Sequence, residues 1–416
     1  MKPDETFVAF VSLDWADQKH DFAYCRSETQ KIVSGTLKHT AEALEDWVLQ
    51  LRNEFPQGRI AVILEQSRGA LLYALMKYDF FVFFLPNPKS VASYREVFYC
   101  SGAKSDPADA LLLLDLLRKH HEQLRVWNPE DTQTRELRML VEYRRRLVND
   151  RSRLVNRLTS ILKCYFPEAL RWTGDLTKQL SCDFLRKWPT FQAVKKAKAA
   201  TLVSFYQKHH CRSKRLIEER ISQIQNASPL ITDEAIISTS ARMVEVIVLQ
   251  IEKLNEGIEG FDQQIALLFE QHPDRALYQS LPGAGSALEP RLAVALGSDR
   301  SHFQSAQEIQ QFSGIAPVTK GSGKSETVYR RWACPKFILQ TFHEFASHSI
   351  PHSRWARAYY DLQIKRGSSH HAAVRSLAYK WIRVLFRCWK NNVPYNENIY
   401  LATLEKRRSP LTLLIA

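Results

Sequence analysis

Residues 7–38, FVAFVSLDWADQKHDFAYCRSETQKIVSGTLK, hold three apolar runs separated by short polar stretches. β-branched and aromatic residues concentrate at 7–13, 20–25 and 31–38, which predicts three neighbouring strands in a meander. Beyond them the period changes. Residues 41–55 read as an amphipathic helix, RIAVILE (59–65) as a buried strand, 69–78 as a helix and DFFVFFL (79–85) as another strand, with helices following Asn87 and Asp106. The order is β-β-β-α-β-α-β-α, an α/β arrangement with a mixed sheet covered by helices.

That order is the one expected of an RNase H-like or RuvC-like domain, but a fold alone does not give a function. The acidic residues carry the argument further. Asp14 closes the first strand and Glu65 closes RIAVILE. A carboxylate in such a place costs desolvation unless it is paired or binds metal. GAKSDPADALLLLDLL (102–117) adds Asp106 and Asp109 at the mouth of an apolar run. Capping alone accounts for that motif, with Asp106 as N-cap, Pro107 at N1 and Asp109 at N3. Residues three apart are also neighbours on a helix, so both can face one site. If the helix lies over the adjacent ends of two strands, four carboxylates converge. Hard divalent ions take oxygen ligands and often work in pairs on phosphate chemistry, so the count suits two Mg²⁺ or Mn²⁺ ions.

The chain has 416 residues, 45% of them apolar, enough for two or three domains. No run approaches the length of a membrane span, and the N-terminus lacks the pattern of a signal peptide, so a cytoplasmic protein without membrane contact is expected. Seven scattered cysteines with no C-x-x-C pair indicate neither a disulfide framework nor a zinc ribbon. The net charge of +14 is unevenly placed. Residues 1–125 carry 15 Lys and Arg against 17 Asp and Glu, whereas 135–157 hold eight Arg against three acids and 324–390 hold 13 bases against three. Those two segments suit a polyanion. Arg144, Arg145, Arg146, Arg151, Arg153 and Arg157 in the first are candidates for phosphate contact, as are Lys104, Lys320, Lys324, Arg330 and Arg331 elsewhere.

From Thr132 to Lys163 apolar residues follow the spacing of a long amphipathic helix with Arg on its polar side. Ile247, Ile251, Leu254, Ile258, Phe261, Ile265 and Leu268 then alternate steps of four and three, a heptad seam interrupted by Gly257 and Gly260. Antiparallel pairing within the chain competes with dimerisation here; a helical arm that also serves oligomer contacts is the favoured expectation. LYQSLPGAGSALEPRLAVALG (277–297) resembles a helix-hairpin-helix, although a plain joining turn uses the same glycines. KGSGKS (320–325) reads as a flexible loop and lacks the Walker A spacing. His343, His348, His352, His370 and His371 form no H-E-x-x-H motif and read as structural or phosphate-facing. The Trp and Phe residues of the C-terminal third read as core.

The spacing of Asp14, Glu65 and KSDPADA (104–110), followed by LRMLVEYRRRLVNDRSRLVNRL, LPGAGSALEPRLAVALGS and FSGIAPVTKGSGKS, resembles the DEDD transposases of bridge-RNA-guided insertion sequences, which are related to the Piv-type DNA invertases. The resemblance runs through about residue 390. It implies a RuvC-like domain over 1–125 with Asp14, Glu65, Asp106 and Asp109 as its acidic, metal-binding quartet. A helical coiled-coil linker over 126–272, a C-terminal domain over 273–390 with a nucleophilic serine, here Ser322, and a tail over 391–416 complete the expected organisation. The implied partners are double-stranded donor and target DNA, a noncoding bridge RNA, and further copies of the chain in a dimer or tetramer. A hydroxyl at Ser322 can attack a phosphodiester and hold the break as a phosphoserine for rejoining. Two rival readings stay open at this point: a hydrolytic nuclease of RuvC type, which needs only the carboxylates, and a non-catalytic nucleic-acid scaffold.

Overall fold

The computed structural model describes residues 7–29, 31–66, 68–98, 106–323 and 325–414. The chain divides into two compact units, residues 1–129 and 130–416.

The first unit is built on β1 (Phe7–Asp14), β2 (Lys19–Arg26), β3 (Ile32–Lys38), β4 (Arg59–Leu64), β5 (Phe81–Phe84) and β6 (Val126–Trp127), in the order β3-β2-β1-β4-β5-β6. The meander is antiparallel, whereas β4 and β5 run parallel to β1, so the predicted mixed sheet is present. Central β1 is apolar from Phe7 to Val11 and at Leu13, because both of its faces are covered. On one face Ala9, Val11 and Leu13 pack with Trp47, Val48 and Leu51 of α1 (Ala41–Glu54) and Leu71, Leu72 and Leu75 of α2 (Ala70–Leu75). On the other, Phe10, Ala61 and Ile63 meet Val91 of α3 (Pro88–Phe98) and Leu113 and Leu117 of α4 (Asp106–His120). α2 is shorter than the predicted 69–78, because the chain turns after Met76 to enter β5. β6, two residues long, is too short to leave a period in the sequence.

The second unit is organised by two long helices, α5 (Thr132–Tyr165) and α11 (Glu234–Glu270). Arg151 Nη1 donates to Asn255 Oδ1 at 2.8 Å, Arg144 Nη2 to Asp262 Oδ2 at 3.0 Å and Gln133 Nε2 to the Leu268 carbonyl at 3.3 Å. Rising numbers on one helix meet falling numbers on the other, so they run antiparallel. The heptad seam is therefore used inside the chain: Ile247, Ile251, Ile258 and Ile265 are all buried.

At one end of this helical pair lies a core made with α6 (Ala169–Thr173), α7 (Gln179–Lys187), α8 (Phe191–Lys195), α9 (Ala199–Lys208) and α10 (Lys214–Asn226), around Trp172, Phe184 and Tyr206. At the other end Leu137, Val141, Ile265 and Phe269 join a second core. It comprises α12 (Arg275–Gln279), α13 (Gly285–Leu296), α14 (Ala306–Phe312), α15 (Lys336–Ser349), α16 (Arg354–Lys365), α17 (His370–Asn391) and α18 (Glu397–Lys406). Trp355, Trp381 and Trp389 are wholly buried in it, as expected of core residues. The Gly-x-Gly turn between α12 and α13 is a packing device. Gly283 has φ +73°, and a Cβ there would stand 2.4 Å from the His348 carbonyl oxygen.

Candidate active site

The carboxyl ends of β1 and β4 lie side by side, since Leu13 pairs with Leu64 in the parallel register. Asp14 ends β1 and Glu65 is the first residue beyond β4. Leu13 belongs to the core beneath α1 and α2, so strand alternation turns Asp14 to the face that α4 covers. Ser12, wholly buried and two residues before Asp14, fixes α4 there. Its hydroxyl donates to the Ala110 carbonyl at 2.6 Å and lies 3.2 Å from the Ala23 carbonyl. Asp109, beside Ala110, is 4% exposed and accepts from Arg95 Nη2 of α3 at 2.8 Å. Asp106 begins α4, and its side chain lies outside the described residues, as does Lys104.

The predicted carboxylates thus come from two strand ends and the first turn of one helix. Their oxygens are the donor type that hard divalent cations take. Among the described residues no three His, Cys, Asp or Glu stand close enough to hold one ion. In this structure Arg95 supplies the positive charge that buried Asp109 requires. Beyond Asp14 the turn into β2 is tied by His20, whose Nδ1 accepts from the Ala16 amide at 3.3 Å and whose Nε2 lies 2.8 Å from His39 Nδ1. Burial, with His39 beside it, pushes His20 down to about 4, so the ring is neutral and its Nε2 carries the proton.

The residues on either side of Lys324 belong to paired strands, not to the expected flexible loop. β7 (Val318–Ser322) and β8 (Ser325–Tyr329) pair antiparallel, and Ser322 opposite Ser325 is the last pair before a two-residue connection. Gly323 has φ +59°, the left-handed conformation such tight hairpins need. Gly and Ser have little strand propensity, so sequence reading missed a hairpin that pairing across the turn creates. The Ser322 side chain and all of Lys324 lie outside the described residues. Thr319, Lys320, Gly321 and the whole of β8 are exposed. Lys320 Nζ lies 5.9 Å from the Tyr329 ring, and the Arg330 guanidinium lies 4.8 Å over Trp332, which is itself 70% exposed. Trp332 was not among the sequence candidates; its neighbours Arg330 and Arg331 were the available signal.

The other basic candidates separate by environment. Arg144 and Arg151 fasten α5 to α11, and Arg145 reaches Glu344 of α15 at 3.0 Å, where buried Arg291 also binds. Arg146 stacks on Tyr143 at 5.3 Å. Arg153, beside Asp150, and Arg157 face solvent. Arg331 is half-buried.

Two comparisons bear on this arrangement. A transposase family model, that of the DEDD transposases of IS110 type, matches residues 11–167, and one described as transposase IS116/IS110/IS902 family matches residues 275–361. Between them they span more than half of the chain, including all four carboxylates and the serine hairpin. The chain belongs to the IS110-family transposases. It is similar to the mini-circle putative transposase for IS117 of Streptomyces coelicolor, 26% identical over 414 residues, 96% of this chain and 98% of the relative. The insertion element IS110 43.6 kDa protein of the same organism is 26% identical over 411 residues (95% and 97%), and the insertion element IS900 42 kDa protein of Mycobacterium paratuberculosis is 25% identical over 401 residues (93% and 97%). As an IS110-family transposase the chain is an enzyme of DNA strand cleavage and rejoining. Among the described residues no helix is long and apolar enough to cross a membrane.

Proposed function

We propose that this transposase is a site-specific recombinase that cuts and rejoins donor and target DNA through a phosphoserine at Ser322, guided by a bridge RNA encoded in its element. The observation that carries the serine assignment is the hairpin: Ser322 ends β7, paired with Ser325, and the described residues flanking it, Thr319 to Gly321, Gly323 and Ser325 to Tyr329, are exposed, which supports access by a duplex backbone. In cleavage the Ser322 oxygen bonds to the scissile phosphorus as the phosphorus–deoxyribose oxygen bond breaks. The serine proton passes to solvent and the leaving oxygen takes up a proton. Rejoining runs the same steps backward with a deoxyribose hydroxyl as nucleophile, so the phosphodiester energy is kept. Lys320, Lys324, Arg330 and Arg331 clamp the phosphate by charge-assisted hydrogen bonds, and Trp332 offers a stacking surface.

Asp14, Glu65, Asp106 and Asp109 would hold a divalent cation, Mg²⁺ or Mn²⁺. When bound, it stabilises charge developing on the phosphate oxygens. Ser12 positions the helix that carries two of these carboxylates, and Arg95 holds Asp109 until a cation competes for it. Self-association into a dimer or tetramer, bringing the carboxylates of one copy to the serine of another, completes the proposal.

The test is to incubate the protein, loaded with RNA copurified from cells carrying its native locus, with end-labelled donor DNA, and to resolve covalent adducts on denaturing gels. The wild type is expected to form a phosphoserine adduct, Ser325→Ala to retain it, and Ser322→Ala to lose both adduct and product. Full strand cleavage by Ser322→Ala would instead establish hydrolysis by the carboxylates alone.

A further inference from the structure

We propose that Asp21 is a fifth carboxylate of this site, holding a divalent cation between itself and Asp14; the inference rests on the reading of Asp14 as a metal-binding residue. Asp21 stands directly opposite Asp14 in the β1–β2 ladder. Residues so paired point to the same face, with Cβ atoms roughly 4.5–5.5 Å apart. Ala23 and Cys25, the next residues of that parity on β2, lie in the core beneath α4, which fixes the face as the one shared with Asp14 and Asp109.

Asp21 is 5% exposed, and its carboxylate has neither a hydrogen bond nor an ion pair among the described residues. Other buried aspartates are served: Asp109 has Arg95, and Asp274 accepts from Arg300 at 2.6 Å. Adjacent His20 does not serve Asp21, because alternation turns it to the other face, where Ala16 and His39 engage both of its nitrogens. A buried carboxylate without a partner is costly, and two carboxylates set opposite each other repel. One cation between them removes both penalties. Arginine, the solution adopted at Asp109, has no counterpart at Asp21 among the described residues.

The experiment is Mn²⁺ binding to the full-length protein, read by electron paramagnetic resonance of free Mn²⁺, together with thermal melting in EDTA, for wild type, Asp21→Asn and Asp14→Asn. Asp14→Asn is expected to abolish the tight site. Asp21→Asn is expected to weaken Mn²⁺ by about tenfold or more and, in EDTA, to melt at or above the wild-type temperature, since it removes an unpartnered charge. Wild-type Mn²⁺ affinity in Asp21→Asn would overturn the inference while leaving the Asp14 site intact. A melt well below wild type in EDTA would also overturn it, by assigning Asp21 a structural role. Wild type and Asp14→Asn indistinguishable in Mn²⁺ binding would overturn the metal reading and this inference with it.

Discussion

Arg95 holds the predicted acidic residue Asp109 by opposite charge at 2.8 Å, and the contact sets a measurable balance. The Arg95 side chain is 24% exposed and that of Asp109 5%, so the pair is only partly screened. Arg95→Ala leaves a buried carboxylate without counter-charge and is expected to destabilise the first unit by about 2 kcal/mol in EDTA, below the cost of breaking a fully buried pair. Adding Mg²⁺ is expected to raise its melting temperature by more than it raises that of the wild type. An equal rise in both proteins would mean that the arginine and the cation do not compete. Asp14, Glu65, Asp106 and Asp109 were legible in the sequence because each stands at the edge of an apolar run, where a charge is conspicuous. Ser12 and Asp21 were not. Ser12 lies inside such a run and Asp21 in an ordinary polar position of an alternating strand, and only the register reveals what each one faces.

Secondary-structure elements tell a similar story with a different missing piece. The period of the 247–268 seam identified a helix face that needs a partner, but nothing local names α5, some hundred residues earlier, as that partner; tertiary pairing decides it. The start of α5 is locally specified. Asp131 caps it, accepting from the Thr134 amide at 2.9 Å and the Thr134 hydroxyl at 2.6 Å. Burial pushes Asp131 up, but hydrogen bonds from Ser298 and Thr134 outweigh it and hold the carboxyl at about 2. A depressed carboxylate favours the folded state above its ordinary value of 3.8, and that contribution is lost as the pH falls through about 2. Asp131→Ala is therefore expected to cost about 1 kcal/mol at pH 7, with the gap from wild type narrowing between pH 4 and pH 2. Urea midpoints across that range check it; a gap constant with pH would assign the loss to packing.

For the molecule as a whole, charge is the property most open to test. The net charge of +14 is an excess of bases that lies at 135–157 and 324–390, but among the described residues Arg138, Arg144, Arg145 and Arg151 of the first segment are engaged in binding helices together. If six to ten of the remaining cations meet phosphates, DNA affinity is expected to fall by about 10³–10⁵ between 50 and 200 mM salt. Fluorescence anisotropy on a labelled duplex measures the slope, and a fall of less than tenfold would show that most of these bases serve the protein itself.

The antiparallel pairing of α5 and α11 has a consequence for ancestry. The chain travels out along one helix, builds the core of α6 to α10, and returns along the other, so that core is entered and left at a single neck. Adding or deleting one heptad in both helices would move it by roughly 10 Å while every contact on either side kept its register. The helical pair is in that sense a ruler that descent can lengthen or shorten in fixed steps, retuning the span of the enzyme without redesigning either end.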